Sequence, residues 1–269
     1  MLSNHLTRFN NALEEFQRKF PREIWSSEFK KRLIHDFTFY SARIEDEKLN
    51  YGDTIKFLND QLVRKGKMKS LLEVANHKDV LASVIDRYDT FELTEETIKA
   101  IHKDLMSDAS CWETDFKPHL VGAYRNIPAV GYREPYFKNK DYIPLQNIEM
   151  AIASHLNSLR YKLENVDNSA DKTHLISAIA YFHNIFLNKI HPFADGNGRV
   201  CRIIMGTFLM KNQCPPIFVQ ITSDEDRFKY ISTIVECENQ DNDRPLIEFL
   251  ANGMAQYMEK KVKNFDEPV

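Results

Sequence analysis

The chain has 269 residues, of which 43% are hydrophobic, 12% aromatic and 28% charged, enough apolar material for one large domain or two small ones and unlike a disordered or collagen-like chain. Its eight glycines and ten prolines fall well below the roughly 12% of average composition, which leaves few turn positions for an all-β fold, so the sequence predicts an all-α protein. Lys plus Arg number 36 against 39 Asp plus Glu, and the net charge of −3 offers no extended nucleic-acid surface while leaving room for a nucleotide pocket.

From the N-terminus, Phe9, Leu13, Phe16 and Phe20 recur at helical spacing, without the unbroken apolar run of a signal peptide. Leu58, Leu62 and, beyond a break at Gly66, Leu71 and Leu72 continue the amphipathic pattern. Thr94 is expected to cap a helix that carries Glu95 and Glu96 in its first turn and turns Ile98, Ile101 and Leu105 inward. Between Cys111 and Tyr142, Pro118, Gly122, Pro128, Gly131 and Pro135 interrupt any helix, while Tyr124, Ile127, Val130, Tyr132 and Tyr136 favour extended backbone, so a long loop with a short β-hairpin is expected. Helix resumes from Leu145 to about Leu163. A further helix from about Asp171 to Ile190 is apolar on two stripes, one through Leu175, Ile179, Phe182, Phe186 and Ile190, and is therefore central. Its apolar run, Leu175 to Leu187, is broken by Ser177, His183 and Asn184 and is too short to span a bilayer. The four cysteines, Cys111, Cys201, Cys214 and Cys237, form no C-x-x-C pair, which argues for a reducing compartment and predicts a cytoplasmic protein without a membrane partner.

The segment after Ile190 reads His191-Pro192-Phe193-Ala194-Asp195-Gly196-Asn197-Gly198-Arg199, and an amphipathic helix marked by Val200, Ile203, Ile204, Thr207 and Phe208 follows. Glycines on either side of Asn197 allow backbone N–H groups to converge at a helix start, where the helix dipole also favours anions. Arg199 and Arg202 share one face near that positive end and suit further phosphate oxygens. Asp195 has two roles open to it, a helix cap or a Mg²⁺ ligand beside a polyphosphate, of which the second is favoured. His191 is placed to accept a proton from an attacking hydroxyl. On a buried helix, His183 is expected to satisfy a neighbouring polar group, and Phe193 to pack.

This stretch resembles the signature of the Fic (filamentation induced by cAMP) domain family, H-P-F-x-D/E-G-N-G-R-x-x-R, with every fixed position matched from His191 to Arg202. The resemblance covers roughly Arg43 to Leu250 and includes Gly122-x-Tyr124-Arg125 ahead of the expected hairpin. It implies a helical core with a short β-hairpin flap and a Mg²⁺-dependent protein adenylyltransferase, which moves AMP from ATP to a Tyr, Ser or Thr hydroxyl of a target protein. By this resemblance His191 is the base and Asp195 the metal ligand. Gly196, Asn197 and Gly198, with the Asn197 side chain, stabilise the α-phosphate, and Arg199 and Arg202 hold the outer phosphates. A target segment would dock by strand addition at a flap near Ile127 to Tyr136.

Ser41-Ala42-Arg43-Ile44-Glu45-Asp46 resembles the inhibitory motif S/T-x-x-x-E-G/N of self-restrained members, in which the glutamate, here Glu45, pairs with the second signature arginine. A carboxylate and a phosphate cannot both occupy one guanidinium fork. Asp46 departs from the motif, since Gly or Asn there suits a left-handed helix end. The organisation implied is an N-terminal helical region (1–110) carrying the inhibitory helix, a catalytic core (111–260) and a tail (261–269), compatible with a homo-oligomer. Two other readings stay open: a restrained nucleotide-sensing protein, and de-AMPylating or phosphohydrolase activity at the same site. A pocket for the base, around Tyr230, is defined by no motif.

Overall fold

The computed structural model describes residues 2–61, 68–107, 117–133, 138–164 and 171–266. Leu62, Gly66, Cys111, Pro135 and Tyr136 lie outside the described residues. Helix α1 (Leu2–Lys19) buries Leu6, Phe9, Leu13 and Phe16 on the stripe that their spacing sets. A 3₁₀ turn (Arg22–Ile24) leads to α2 (Ser27–Glu45), whose cap is the Ser26 side chain accepting from the Phe29 N–H. From Leu33 to Ile44 every residue of α2 is buried. Helices α3 (Tyr51–Leu58), α4 (Met68–Asp86) and α5 (Glu95–Leu105) follow, and Thr94 caps α5 through the Thr97 N–H. Strands β1 (Val130–Arg133) and β2 (Lys138–Asp141) pair antiparallel, with Val130 opposite Asp141.

Helix α6 (Ile148–Glu164) packs on α7 (Thr173–Asn184). The single helix expected to Ile190 instead widens into a π-helical turn (Ile185–Ile190), closed by the His191 N–H donating to the Phe186 carbonyl at 2.8 Å. Polar side chains inside the bundle favour this wider turn: buried Asn188 donates to Asn184 Oδ1 at 2.6 Å and to the Ile234 carbonyl at 3.0 Å. Helix α8 (Asn197–Lys211) was expected to be amphipathic, yet it is buried on all sides from Val200 to Met210, because α4, α5 and α7 all pack against it. Helix α9 (Asp224–Gln240) opens with a Ser223/Asp226 capping box, and α10 (Arg244–Asp266) continues past residue 261 along α1.

Helix α2 is fixed to this bundle at Asp36, a buried carboxylate that accepts from Tyr51 (2.6 Å), Tyr257 (2.8 Å) and Lys261 (2.8 Å). Charge-assisted bonds of this kind, with the phenol hydroxyls satisfying the remaining lone pairs, hold the helix in register against α3 and α10. The last turn of α2 is thereby delivered to the start of α8.

Candidate functional site

A cavity of about 470 Å³ lies between the last turn of α2, the His191–Gly198 turn and α9. A larger groove of about 580 Å³, lined by Phe91, Leu156, Leu159 and Lys211, holds none of the signature residues. The chemistry therefore selects the smaller space.

The turn is built largely from its own backbone and from buried partners. His191 has φ 49°, a left-handed conformation that a non-glycine residue keeps only when its surroundings impose it. The partner that imposes it is Arg125, buried, whose backbone N–H donates to the Pro192 carbonyl (2.8 Å) while its Nε donates to the His191 carbonyl (2.8 Å) and Nη2 to the Ile143 carbonyl (2.7 Å). His191 Nδ1 faces the Leu187 carbonyl at 3.1 Å, so Nδ1 carries the hydrogen and Nε2 the lone pair. The Tyr142 ring stacks on His191 with centroids 4.1 Å apart and fixes the plane of the imidazole.

His102 of α5 ties the other end of the turn. The Gly122 N–H donates to its Nδ1 (2.9 Å), so Nε2 is the protonated nitrogen and donates to the Asp195 carbonyl (3.1 Å). Burial pushes the His102 pKa down to about 4, against the pull of Asp195, and the ring stays neutral. It also stacks on fully buried Phe193 at 3.9 Å. The Asn197 side chain closes the turn from within: its Oδ1 accepts from the Phe193 N–H and its Nδ2 donates to the Phe193 carbonyl, both at 2.9 Å. The amide that the signature suggested for the α-phosphate is thus engaged in holding the loop.

Helix α8 starts at Gly196 (φ 75°) with no side-chain cap, so the orphan N–H groups of its first turn face the cavity. A side-chain carbon at Gly196 would meet Met106 Sδ at 3.0 Å, and one at Gly198 would sit 2.5 Å from Glu45 Oε1 and 2.8 Å from Arg202 Nη1. The glycine at 198 lets a carboxylate come down onto the helix start.

That carboxylate is Glu45, which forms a short ion pair with Arg202 Nη2. Arg202 is buried and is further fixed by Ser41, through Nε to Oγ at 2.7 Å and Nη2 to the carbonyl at 3.2 Å. Burial alone would raise the Glu45 carboxyl, but the charges of Arg202 and Arg199 and the Arg202 hydrogen bond outweigh it and hold its pKa below the ordinary range. The Glu45 side chain keeps 42% of its surface exposed, so only the face toward Arg202 is dehydrated. Asp46 adopts no left-handed cap: its φ is −125°, its N–H donates to the Ala42 carbonyl and its side chain accepts from the Lys48 N–H at 2.8 Å. Its Asx turn ends the helix without a glycine.

The structure brings His191, Asp195, Gly196, Asn197, Gly198, Arg202 and Glu45 to one cavity. Ser41 stands behind Arg202, and Arg199 is turned away from the cavity toward Asp195 (3.1 Å) and Glu73 (3.3 Å). Tyr230 is buried, with its hydroxyl against His183 Nε2 (2.7 Å) and Arg202 Nη1 (3.4 Å), and burial drives the His183 pKa down to about 3. Sequence reasoning missed Arg227, Tyr142, His102 and Glu73. Arg227 lines the cavity and caps α2 by donating to the Ile44 carbonyl at 2.7 Å. No short motif marks these four, whose partners lie far away in sequence.

Among the described residues no group of three or more His, Cys, Asp or Glu side chains is arranged to hold a metal. Asp195 is a half-exposed carboxylate on the cavity wall, where the other carboxylate, Glu45, is engaged by Arg202, and such a donor fits Mg²⁺ when phosphates and water complete the shell. Cys201, Cys214 and Cys237 are free and buried, and burial raises the pKa of all three. No helix among the described residues is long and apolar enough to cross a membrane.

The central helix ends on a left-handed histidine, and a short turn leads from it to a helix start without a side-chain cap, where the backbone N–H groups are arranged as an anion would need them. Residues 92–209 match the pattern of the Fic/DOC family. It is 23% identical over 225 residues to the Nematostella vectensis protein named protein adenylyltransferase Fic, an alignment covering 82% of this chain and 47% of that one. The protein of the same name from Drosophila persimilis is 25% identical over 235 residues, with 83% and 40% covered. The chain spans less than half the length of these curated relatives. Its fold is that of a Fic domain containing signaling protein from Bacteroides thetaiotaomicron, with a TM-score of 0.73 at 17% identity over 95% of this chain and 96% of that one.

Proposed function

We propose that the protein is an adenylyltransferase that moves AMP from ATP to a hydroxyl side chain of a target protein and is held in check by the last turn of α2. One observation carries this reading: the Glu45 carboxylate sits on the start of α8 and on Arg202, where a phosphate would be drawn by the same N–H groups and the same guanidinium. An anion site plugged by the chain's own carboxylate is a restrained anion site.

In this reading the target hydroxyl oxygen bonds to the α-phosphorus, its proton passes to His191 Nε2, and the bond to the β-phosphate oxygen breaks as pyrophosphate leaves. The backbone N–H groups at Gly196, Asn197 and Gly198 take the charge that grows on the α-phosphate. Arg202 takes the outer phosphates once Glu45 withdraws, and Arg199 adds its charge from behind Asp195. Asp195 would hold Mg²⁺, which when bound neutralises charge on the phosphate oxygens. The relatives' printed name supports the reaction class, and the β1–β2 edge supports a target segment added as a strand near Ile127 to Tyr136, of which 134–137 lie outside the described residues. A reducing cytoplasm suits the three buried free thiols.

The test is incorporation of label from α-³²P-ATP into protein by wild type and by Glu45→Gly, with a lysate as target source. A charge-assisted bond is worth roughly 1.5 to 3 kcal/mol, so the variant is expected to label about 10- to 100-fold more. Nucleotide binding without label transfer in both proteins would favour the sensing reading instead.

A further inference from the structure

The guanidinium of Arg199 is shared by two carboxylates. Nη1 donates to Glu73 Oε2 at 3.3 Å and Nη2 to Asp195 Oδ2 at 3.1 Å, and Arg199 keeps only 8% of its side chain exposed. Glu73 stands in the second turn of α4, the helix that packs along α8, while Asp195 immediately precedes α8 on the cavity wall with 48% of its side chain exposed.

We propose that Glu73 is a positioning residue for Asp195, acting through Arg199 to hold the Asp195 carboxylate at a fixed angle and to keep its charge available to a divalent cation in the cavity. This rests on the reading of Asp195 as the metal ligand. With Asp195 as its only acidic partner, a buried guanidinium would form a closed, neutral pair with it, and a cation would have to compete with Arg199 for the carboxylate. Glu73 supplies the second negative charge, so the three groups together carry one net negative charge, and the half-exposed member is the one that faces the cavity. Arg199 meanwhile fixes one oxygen of Asp195 and leaves the carboxylate oriented from behind. Outer-shell partners of this kind orient ligands, and their loss costs about 10- to 100-fold in metal affinity. The same arrangement explains why Arg199 stands out of the cavity while Arg202, one turn on, lines it.

The experiment measures Mn²⁺ affinity by electron paramagnetic resonance with an ATP analogue whose α–β bridge cannot be cleaved, using the full chain with Glu45→Gly so that the nucleotide site is open. Affinity for the same analogue in EDTA is measured by calorimetry in parallel. Glu73→Gln should weaken Mn²⁺ about 10- to 100-fold while leaving metal-free nucleotide affinity unchanged. Adding Glu73→Gln to Arg199→Gln should cause no further loss. An unchanged Mn²⁺ affinity in Glu73→Gln, a fall of both affinities together, or additive losses in the double variant would each overturn the proposal. Asp195→Ala separates the layers: if it leaves Mn²⁺ binding intact, the assignment of the metal to Asp195 fails as well, whereas a loss in Asp195→Ala without one in Glu73→Gln removes Glu73 alone.

Discussion

The His191–Gly198 turn and the last turn of α2 meet at one cavity but are held by different means. The turn is locked by Arg125, His102 and Asn197, whose hydrogen bonds run mainly to backbone groups of the loop itself. At its tip α2 is held by side chains: Glu45 and Ser41 on Arg202, and Arg227 on the Ile44 carbonyl. Backbone-directed bonds inside a buried loop can be broken only by unfolding it. Ion pairs at a half-exposed helix end can be exchanged for another anion. Under the proposed function the turn is a permanent device and the tip of α2 a removable one, so changes in the turn should act on chemistry or stability while changes in α2 act on occupancy.

The largest effect should come from His191. In a chain already carrying Glu45→Gly, His191→Ala should lower AMP transfer by on the order of 10² to 10⁴ and leave nucleotide affinity near its starting value, because the N–H groups of α8 and Arg202 remain in place. Single-turnover labelling and calorimetry distinguish the two quantities. Transfer at an undiminished rate would remove His191 from the proton path.

Next in size is the response to acid of the histidines buried beside the turn and in the helices that carry it. His102 and His155 are buried, and burial holds both pKa values down to about 4 from an ordinary 6.5. The unfolded chain therefore takes up protons near pH 6.5 that the folded chain refuses until about pH 4, so stability is full above pH 6.5 and falls as pH drops between those values. At about 1.4 kcal/mol per pKa unit, each histidine accounts for roughly 3 kcal/mol across the window. Protonation of His102 also removes the lone pair that accepts from Gly122. Denaturant melts at pH 7, 5.5 and 4.5 should show a progressive loss, and a flat profile would mean that these histidines titrate in the fold as they do in the unfolded chain.

Much of the site was legible because it is contiguous. His191 to Arg202 brings a histidine, a carboxylate, glycines and arginines within twelve residues, and local chemistry alone suggests an anion site there. The helical stripes were legible for the same reason, as Phe9, Leu13 and Phe16 occupy one face of α1. What stayed hidden depends on partners distant in the chain. The π-turn follows from Asn188 finding Ile234, and the outward direction of Arg199 follows from Glu73 on another helix. Asn197 looked like a phosphate ligand because its type and position allow it, and only the closed geometry with Phe193 assigns it to the loop. Asp46 looked unfit for a left-handed cap, and the chain uses an extended residue instead.

The smallest effect, and the finest test of the contrast between turn and helix, belongs to Ser41. Its hydroxyl accepts from Arg202 Nε at 2.7 Å and aligns the fork so that Nη2 meets Glu45, while its carbonyl holds the same Nη2 at 3.2 Å. Ser41→Ala removes the first bond and keeps the second, so the clamp should loosen without opening, and label incorporation should rise only a few-fold, as expected from a loss of about 1 kcal/mol. If Ser41 works only by steering Arg202 toward Glu45, the same substitution made in Glu45→Gly should change nothing, since the carboxylate it serves is gone. The two substitutions form a cycle whose coupling reads the clamp directly. Equal increments in both backgrounds would instead assign Ser41 to the general packing of α2, and a fall in labelling would mean that Arg202 needs the Ser41 hydroxyl to hold phosphate as well as to hold Glu45.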